Sequence, residues 1–194
     1  MKKSKSVWQN IHQDLIDNCR KGDSKAQFEL YRLYYKNMYN ISLRIVNDTQ
    51  EAEDIMQEAF FSAFENIGSY SGQVSFGAWL RRIVINRSLD ALKKRRLDLQ
   101  SIDEAPEQEV AEDTDTDKER EEAEAAETKR IHRCIKLLPD GYRVILSLYL
   151  LEGYDHEEIA EITGITASTS RSQYTRAKNR LAEILKKSGS DGQS

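Results

Sequence analysis

A chain of 194 residues, 32% charged and 39% hydrophobic, suits two small domains better than one large core. Its longest apolar run is about four residues against the roughly 20 that a bilayer span requires, and no apolar segment follows the N-terminal lysines of MKKSKSVWQNIHQDL. Membrane insertion and a secretory signal are therefore not expected, and a soluble cytoplasmic protein is. The net charge of −4 conceals segregation: residues 1–97 carry 16 Lys/Arg against 11 Asp/Glu, residues 98–127 carry 2 against 14, and residues 128–194 carry 11 against 8.

Few prolines and glycines among many Ala, Leu, Glu, Lys and Arg predict an all-α chain. A short helix near 14–21 carries Leu15, Ile16 and Cys19, and Gly22-Asp23-Ser24 reads as a stop followed by a fresh N-cap. A long helix follows to about Val46, with Leu30, Leu33, Tyr34, Met38, Ile41 and Ile45 at three- and four-residue steps. Asp48 and Glu51 form a capping-box pattern for a third helix, whose apolar stripe is Ala52, Ile55, Met56, Ala59, Phe60, Ala63, Phe64 and Ile67. Residues 68–73 read as loop. A fourth helix over about 76–94 turns Trp79, Leu80, Ile83, Val84 and Leu92 inward, and the four helices make a small bundle.

Residues 98–127 hold 14 acids, no aromatic residue and few apolar ones. Such a segment cannot bury enough surface to offset the entropy of ordering it, so a flexible acidic linker is expected between domains at 1–97 and 128–187, with a disordered tail at 188–194. Its C-terminal part is able to extend the next helix. In the second domain Ile131, Cys134, Ile135 and Leu138 form one helical face ending at Pro139, and Val144, Ile145, Leu148 and Tyr149 form another ending near Gly153. Asp155 and Glu158 cap a short helix carrying Ile159 and Ile162. Gly164-Ile165-Thr166 then turns the chain into a last helix to about Lys187, through Tyr174, Ala177, Leu181, Ile184 and Leu185. A short helix, a glycine turn and a longer basic helix make a helix-turn-helix pattern. A plain bundle would not require Ser168, Thr169, Arg171, Ser172, Gln173, Thr175 and Arg176 grouped at exposed positions; nucleic-acid binding would.

Cys19 and Cys134 lack further ligands at metal spacing and read as buried free thiols, so neither a metal nor another cofactor is expected. No glycine-rich phosphate loop or supported Ser/His/Asp constellation is present, and His156 beside Glu157 and Glu158 reads as a helix N-terminal surface group. A binding protein is expected rather than an enzyme.

Two segments sharpen the expectation. AEDIMQEAFFSAFENIGSYSGQVSFGAWLRRIVINRSLDALKKRR resembles region two of sigma-70 family factors, and LPDGYRVILSLYLLEGYDHEEIAEITGITASTSRSQYTRAKNRL resembles their region four. In this order, with a short linker and nothing like regions one and three, the chain is similar to the extracytoplasmic-function group. The resemblance implies a subunit that binds core RNA polymerase, directs it to promoters and assists promoter melting. Its partners would be the beta-prime clamp helices, the beta flap tip, promoter DNA and an anti-sigma factor. The rival is a stand-alone helix-turn-helix regulator that binds DNA without polymerase, which leaves the AEDIMQEAF segment unexplained.

By the same resemblance Asp54, Gln57, Glu58 and Phe60 contact the clamp helices, though Phe60 also continues the apolar stripe. The loop and fourth helix correspond to the part that melts and holds the minus-ten element. Reading an extruded base requires aromatic or amide groups, and the single-strand backbone requires cations. Tyr70, Phe76, Arg81, Arg82, Asn86, Arg87, Lys93, Lys94, Arg95 and Arg96 supply these, with Asn86 at the position that meets the flipped base and Trp79 expected in the bundle. The last helix is implied to enter the major groove of the minus-thirty-five element, with Ser168, Thr169, Arg171, Ser172 and Gln173 toward bases and Arg176 and Lys178 on phosphates. Ser170 stands where the family often has Val, and Gln173 where it often has Arg, so Ser170 is expected to loosen the motif's packing. The face over 144–149 is expected to be mostly core, with the flap tip gripped by this domain. The acidic linker is expected to thread toward the RNA exit path and mimic nucleic acid.

Overall fold

The computed structural model describes the backbone of residues 11–100 and 119–190 and the side chains of residues 11–95 and 127–188. The expectations for residues 101–118 of the acidic stretch, for the Arg96 side chain and for the last four residues lie outside these, whereas residues 98–100 and 119–127 of that stretch are helical. Every secondary-structure element among the described residues is a helix, and the chain falls into two compact units, Met1–Lys93 and Lys94–Ser194.

In the first unit, α1 (Gln13–Arg20) ends at Gly22, whose φ of +83° suits a residue without Cβ. The Asp23 carboxylate accepts from Lys25 N at 2.8 Å and caps α2 (Ser24–Val46), which closes on Asn47 in the left-handed conformation. The Asp48 carboxylate accepts from Glu51 N at 2.8 Å and starts α3 (Thr49–Glu65). A 3-10 turn over Ile67–Ser69 precedes α4 (Phe76–Gln100), which runs six residues past the end expected from its apolar pattern.

The core of this unit takes Leu30, Met38, Ile41 and Ile45 from α2 and Ala52, Ile55, Met56, Ala59, Phe60 and Ala63 from α3, all buried. From α4 it takes Phe76, Leu80, Val84, Ile85, Leu89 and Leu92. Leu33 departs from expectation at 50% exposure, because it lies to one side of the Leu30-Met38-Ile41-Ile45 stripe. One buried polar pair crosses the bundle: Ser42 Oγ and Ser88 Oγ are 3.0 Å apart, and Ser88 Oγ donates to Val84 O at 2.8 Å, so α2 and α4 meet without an orphaned hydroxyl.

In the second unit, α5 (Glu119–Lys136) begins inside the acidic stretch. The helix α6 (Asp140–Leu150) buries six consecutive residues, 143 to 148, and is thus enclosed on all sides. Leu146, outside the expected face, is fully buried and packs with Ile135, Leu138 and Ala177, while Tyr149, placed on that face by the sequence pattern, reaches the surface. Arg143 is 3% exposed. Its guanidinium donates to Leu138 O at 3.0 Å and to Asp140 Oδ1 at 2.7 Å, which pairs the buried charge with a carboxylate and a carbonyl. The capping box of α7 (His156–Thr163) is complete: Glu158 N donates to Asp155 Oδ1 at 2.8 Å and Asp155 N to Glu158 Oε2 at 2.9 Å. Gly164, at φ +74°, closes α7 and donates its N–H to Ala160 O, turning the chain into α8 (Ala167–Ser190), which continues past the expected end at Lys187.

Candidate polymerase and nucleic-acid faces

On α3 the stripe that faces α2 and α4 leaves Asp54, Gln57 and Glu58 on the outside, and all three are exposed. Their spacing puts them on one side of the helix, and Phe61, three residues after Glu58, continues that side. Phe60 is 3% exposed, with its ring 4.9 Å from Tyr31 and 5.8 Å from Phe64; it is core. Phe61 is 66% exposed and is the aromatic residue that stands beside the polar triplet. Sequence reasoning missed it because two adjacent phenylalanines both fit an apolar stripe, and only the helix's rotation against α2 decides which is inside. Gln57 Nε2 donates to Glu53 Oε1 at 3.3 Å, and Glu53 in turn borders a shallow groove of about 410 Å³ whose wall is Tyr31, Tyr35 and Tyr39 of α2.

The loop before α4 differs from expectation. Tyr70 and Phe76 are 3% and 1% exposed, so neither ring offers a face to a base in this conformation. They pack with Tyr34 and Trp79 at ring separations of 5.2 to 5.8 Å, and Tyr70 donates its hydroxyl hydrogen to Val74 O across the loop. Arg20 Nη2 donates to Tyr70 O at 2.6 Å from α1. Burial also raises the Tyr34 phenol above its usual range, with Tyr70 as a second cause. These aromatics shape the loop from inside, and Trp79 joins them half-buried, as the sequence pattern suggests.

The exposed surface of α4 is polar. Arg82, Asn86 and Lys93 are exposed at steps of four and seven residues along one side of the helix, and Lys94 is also exposed. Arg81, Arg87 and Arg95 are half-buried. Lys93 Nζ is 3.7 Å from Asp90, and Arg87 Nη1 donates to Glu58 Oε2 at 2.9 Å, joining α4 to the exposed side of α3.

On α8 the cap is Thr166, whose Oγ1 accepts from Thr169 N at 3.1 Å. Ser168, Thr169, Arg171, Ser172, Arg176 and Lys178 are exposed and Gln173 is half-buried. Ser168, Arg171 and Ser172 fall at helical steps of three and one on one side of the first turns, while Thr169, Gln173 and Arg176 fall beside them at steps of four and three. The Lys178 ammonium lies 5.1 Å from the centroid of the Tyr174 ring.

Two residues behind this surface behave differently from expectation. Ser170 is fully buried, and its Oγ lies 2.9 Å from His156 Nδ1. It packs the motif together rather than loosening it. His156, expected as a plain surface group, stacks on Tyr149 at 4.6 Å and 19° and meets Tyr174 edge-on at 5.7 Å. Both cysteines are buried free thiols. Among the described residues no cluster of three His, Cys, Asp or Glu has metal-holding geometry, and no helix is long and apolar enough to cross a membrane.

A four-helix bundle with an acid-amide-aromatic outer face, followed by a helix-turn-helix unit, defines a two-module helical protein of the helix-turn-helix class. Residues 30–97 match the family model described as Sigma-70 region 2, and residues 128–181 match Sigma-70, region 4. The chain is 33% identical to the RNA polymerase sigma-H factor of Pseudomonas aeruginosa over 184 residues, covering 91% of this chain and 95% of that one. It is 30% identical to the ECF RNA polymerase sigma factor SigW of Bacillus subtilis (88% and 95% covered) and 32% identical to the ECF RNA polymerase sigma-E factor of Escherichia coli (87% and 91%). Among solved structures its fold is similar to the sigma factor RpoE of Bartonella quintana, determined with the anti-sigma factor NepR, at a TM-score of 0.61, 23% identity and coverage of 81% and 95%. It is also similar to CnrH, determined with the cytosolic domain of CnrY, at 0.52, 18% identity and coverage of 94% and 99%. The chain belongs to the sigma-70 family, as a member of its extracytoplasmic-function group.

Proposed function

We propose that this chain is a promoter-specificity subunit that acts by binding, without chemistry of its own, on bacterial core RNA polymerase in the cytoplasm. The observation that carries this reading is the exposure of Asp54, Gln57 and Glu58 on one side of α3, which the bundle does not need for packing and a stand-alone DNA-binding regulator would not use. These residues, with Phe61, dock on the beta-prime clamp helices. Phe61 supplies the apolar anchor that interface centres favour, and the polar triplet fixes register around it. Phe60, Tyr70 and Phe76 act behind the contact surface, by setting the positions of α3 and of the loop before α4.

Asn86 then pairs with the edge of an extruded minus-ten base, since an amide carries both a donor and an acceptor. Arg81, Arg82, Arg87, Lys93, Lys94, Arg95 and Arg96 hold the displaced strand's phosphates. The first turns of α8 enter the minus-thirty-five major groove with Ser168, Thr169, Arg171, Ser172 and Gln173, while Arg176 and Lys178 neutralise flanking phosphates. The second unit also grips the beta flap tip. An anti-sigma factor covering the polymerase-binding faces is the means of control that fits.

The test is reconstitution. Purified chain added to core polymerase should co-elute with it and give run-off transcripts from a subset of a genomic promoter library. No affinity for core enzyme, with Asp54, Gln57 and Glu58 intact and no inhibitor present, would refute the proposal.

A further inference from the structure

Two ties cross the helix-turn-helix, displaced by one residue on each helix. His156 Nδ1 meets Ser170 Oγ at 2.9 Å, and Arg171 Nη1 donates to Glu157 Oε1 at 3.0 Å. Both join the first turn of α7 to the first two turns of α8, but their surroundings differ. Ser170 is fully buried and the His156 ring is held between Tyr149 and Tyr174, so the first tie seats the helix. The side chains of Arg171 and Glu157 are 54% and 68% exposed, so the second tie contributes little to stability.

We infer that Glu157 is a positioning residue for base reading: it sets the direction of the Arg171 guanidinium before DNA arrives, on a helix whose seat His156 and Ser170 have fixed. The inference rests on the reading that the first turns of α8 enter the major groove. A free arginine samples many rotamers and loses that freedom on contact, whereas one paired with a carboxylate at a single N–H is already biased toward one direction and still has four donors to offer. Guanine presents O6 and N7 as paired acceptors, and a guanidinium fork suits them only within a narrow range of angles. Glu157 also carries a negative charge close to where DNA phosphates would lie, so it lowers affinity for duplex of any sequence. Pre-orientation and repulsion act together to favour the right sequence over the rest. A residue that need not touch DNA can determine specificity in this way.

The experiment uses full-length protein assembled with core polymerase. The probe is a pool of genomic fragments selected by the wild-type holoenzyme and then randomised upstream of the start-proximal element. Base preference is read at each position for wild type, Arg171→Ala, Glu157→Gln and the double variant. Arg171→Ala should erase preference at one or two adjacent base pairs. Glu157→Gln should weaken preference at those same pairs roughly twofold to fivefold, the scale of an exposed ion pair, while binding to non-selected DNA rises and the melting temperature stays within a few degrees of wild type. The double variant should match Arg171→Ala. If Arg171→Ala changes preference and Glu157→Gln does not, or if Glu157→Gln changes all positions equally, Glu157 positions nothing. If Arg171→Ala itself leaves upstream preference intact, α8 does not read bases through this residue, and the inference falls with that reading.

Discussion

Arg87 on α4 donates through Nη1 to Glu58 Oε2 on α3 at 2.9 Å, so a residue on the proposed minus-ten face and one on the proposed polymerase face share an ion pair. Their side chains are 37% and 67% exposed, which limits the pair's stabilising effect to about 1 kcal/mol or less. Glu58→Gln should leave thermal melting within a few degrees of wild type yet reduce affinity for core polymerase by about tenfold, because a charged contact at a docking face is worth more than one in water. Arg87→Ala should spare polymerase affinity and lower promoter opening. Melting curves, polymerase titration of labelled protein and permanganate footprinting separate the three effects.

Phe60 and Phe61 should respond to truncation in opposite ways. Phe60, buried against Tyr31, is expected to cost about 3–5 kcal/mol of stability when changed to Ala. Phe61→Ala, at an exposed position, should leave the unfolding midpoint in urea almost unchanged and weaken core-polymerase binding instead. Chemical denaturation and co-elution with core enzyme measure the two losses.

Arg176 should act on DNA without regard to sequence. Arg176→Ala is expected to weaken holoenzyme binding to selected and non-selected fragments alike, and to reduce the slope of log affinity against log salt by about 1. A loss confined to selected fragments would move Arg176 from phosphate to base contact.

Ser147 is 1% exposed, and its Oγ has no hydrogen-bond partner among the described residues. A buried hydroxyl in that condition is destabilising, and alanine is also the better helix former, so Ser147→Ala should raise stability by about 1 kcal/mol. Thermal melting of the full chain checks it.

Burial, reinforced by the Asp23 carboxylate, pushes the Cys19 thiol up to about 11 from an ordinary 9.0. A raised value means that the folded state favours the protonated thiol, so this contribution to stability is complete below about pH 9 and is lost as pH rises toward 11. In a Cys134→Ala background, iodoacetamide at pH 8 should label Cys19 far more slowly in native than in urea-unfolded protein. Between pH 9 and 11 that background should lose more stability than the Cys19→Ala, Cys134→Ala double variant.

Periodicity is a good guide wherever a helix has one dry face. The stripe of α3 from Ala52 to Ala63 and the caps at Asp23, Asp48 and Asp155 are all legible because they depend on neighbours within a turn or two. It fails where burial is decided by a distant partner. Leu146 and Ser147 lie off the expected face of α6 and are buried because that helix is surrounded by its unit. Tyr70 and Phe76 carry rings that a nucleic-acid site could use, and nothing local reveals that Tyr34 and Trp79 already occupy their faces. His156 and Ser170 are fourteen residues apart, and their bond exists only once Gly164 has turned α7 onto α8. The polar exposed residues of α8, by contrast, are readable because serine and threonine at successive outward positions have no packing role.

The enclosure of α6 makes the second unit unequal in what it lets a protein engineer rewrite. Positions 143 to 148 form a foundation on which a random library would mostly lose stability, since most changes of volume or polarity disturb packing on some side, Ser147→Ala being the expected exception. Ser168 and Ser172 hang outside that foundation and can be exchanged without unseating the helix that carries them, whereas the Thr169 hydroxyl is 2.8 Å from the Thr166 cap. If α8 reads DNA as proposed, new target sequences can be sought by diversifying a few of its outward positions, while the scaffold beneath stays fixed.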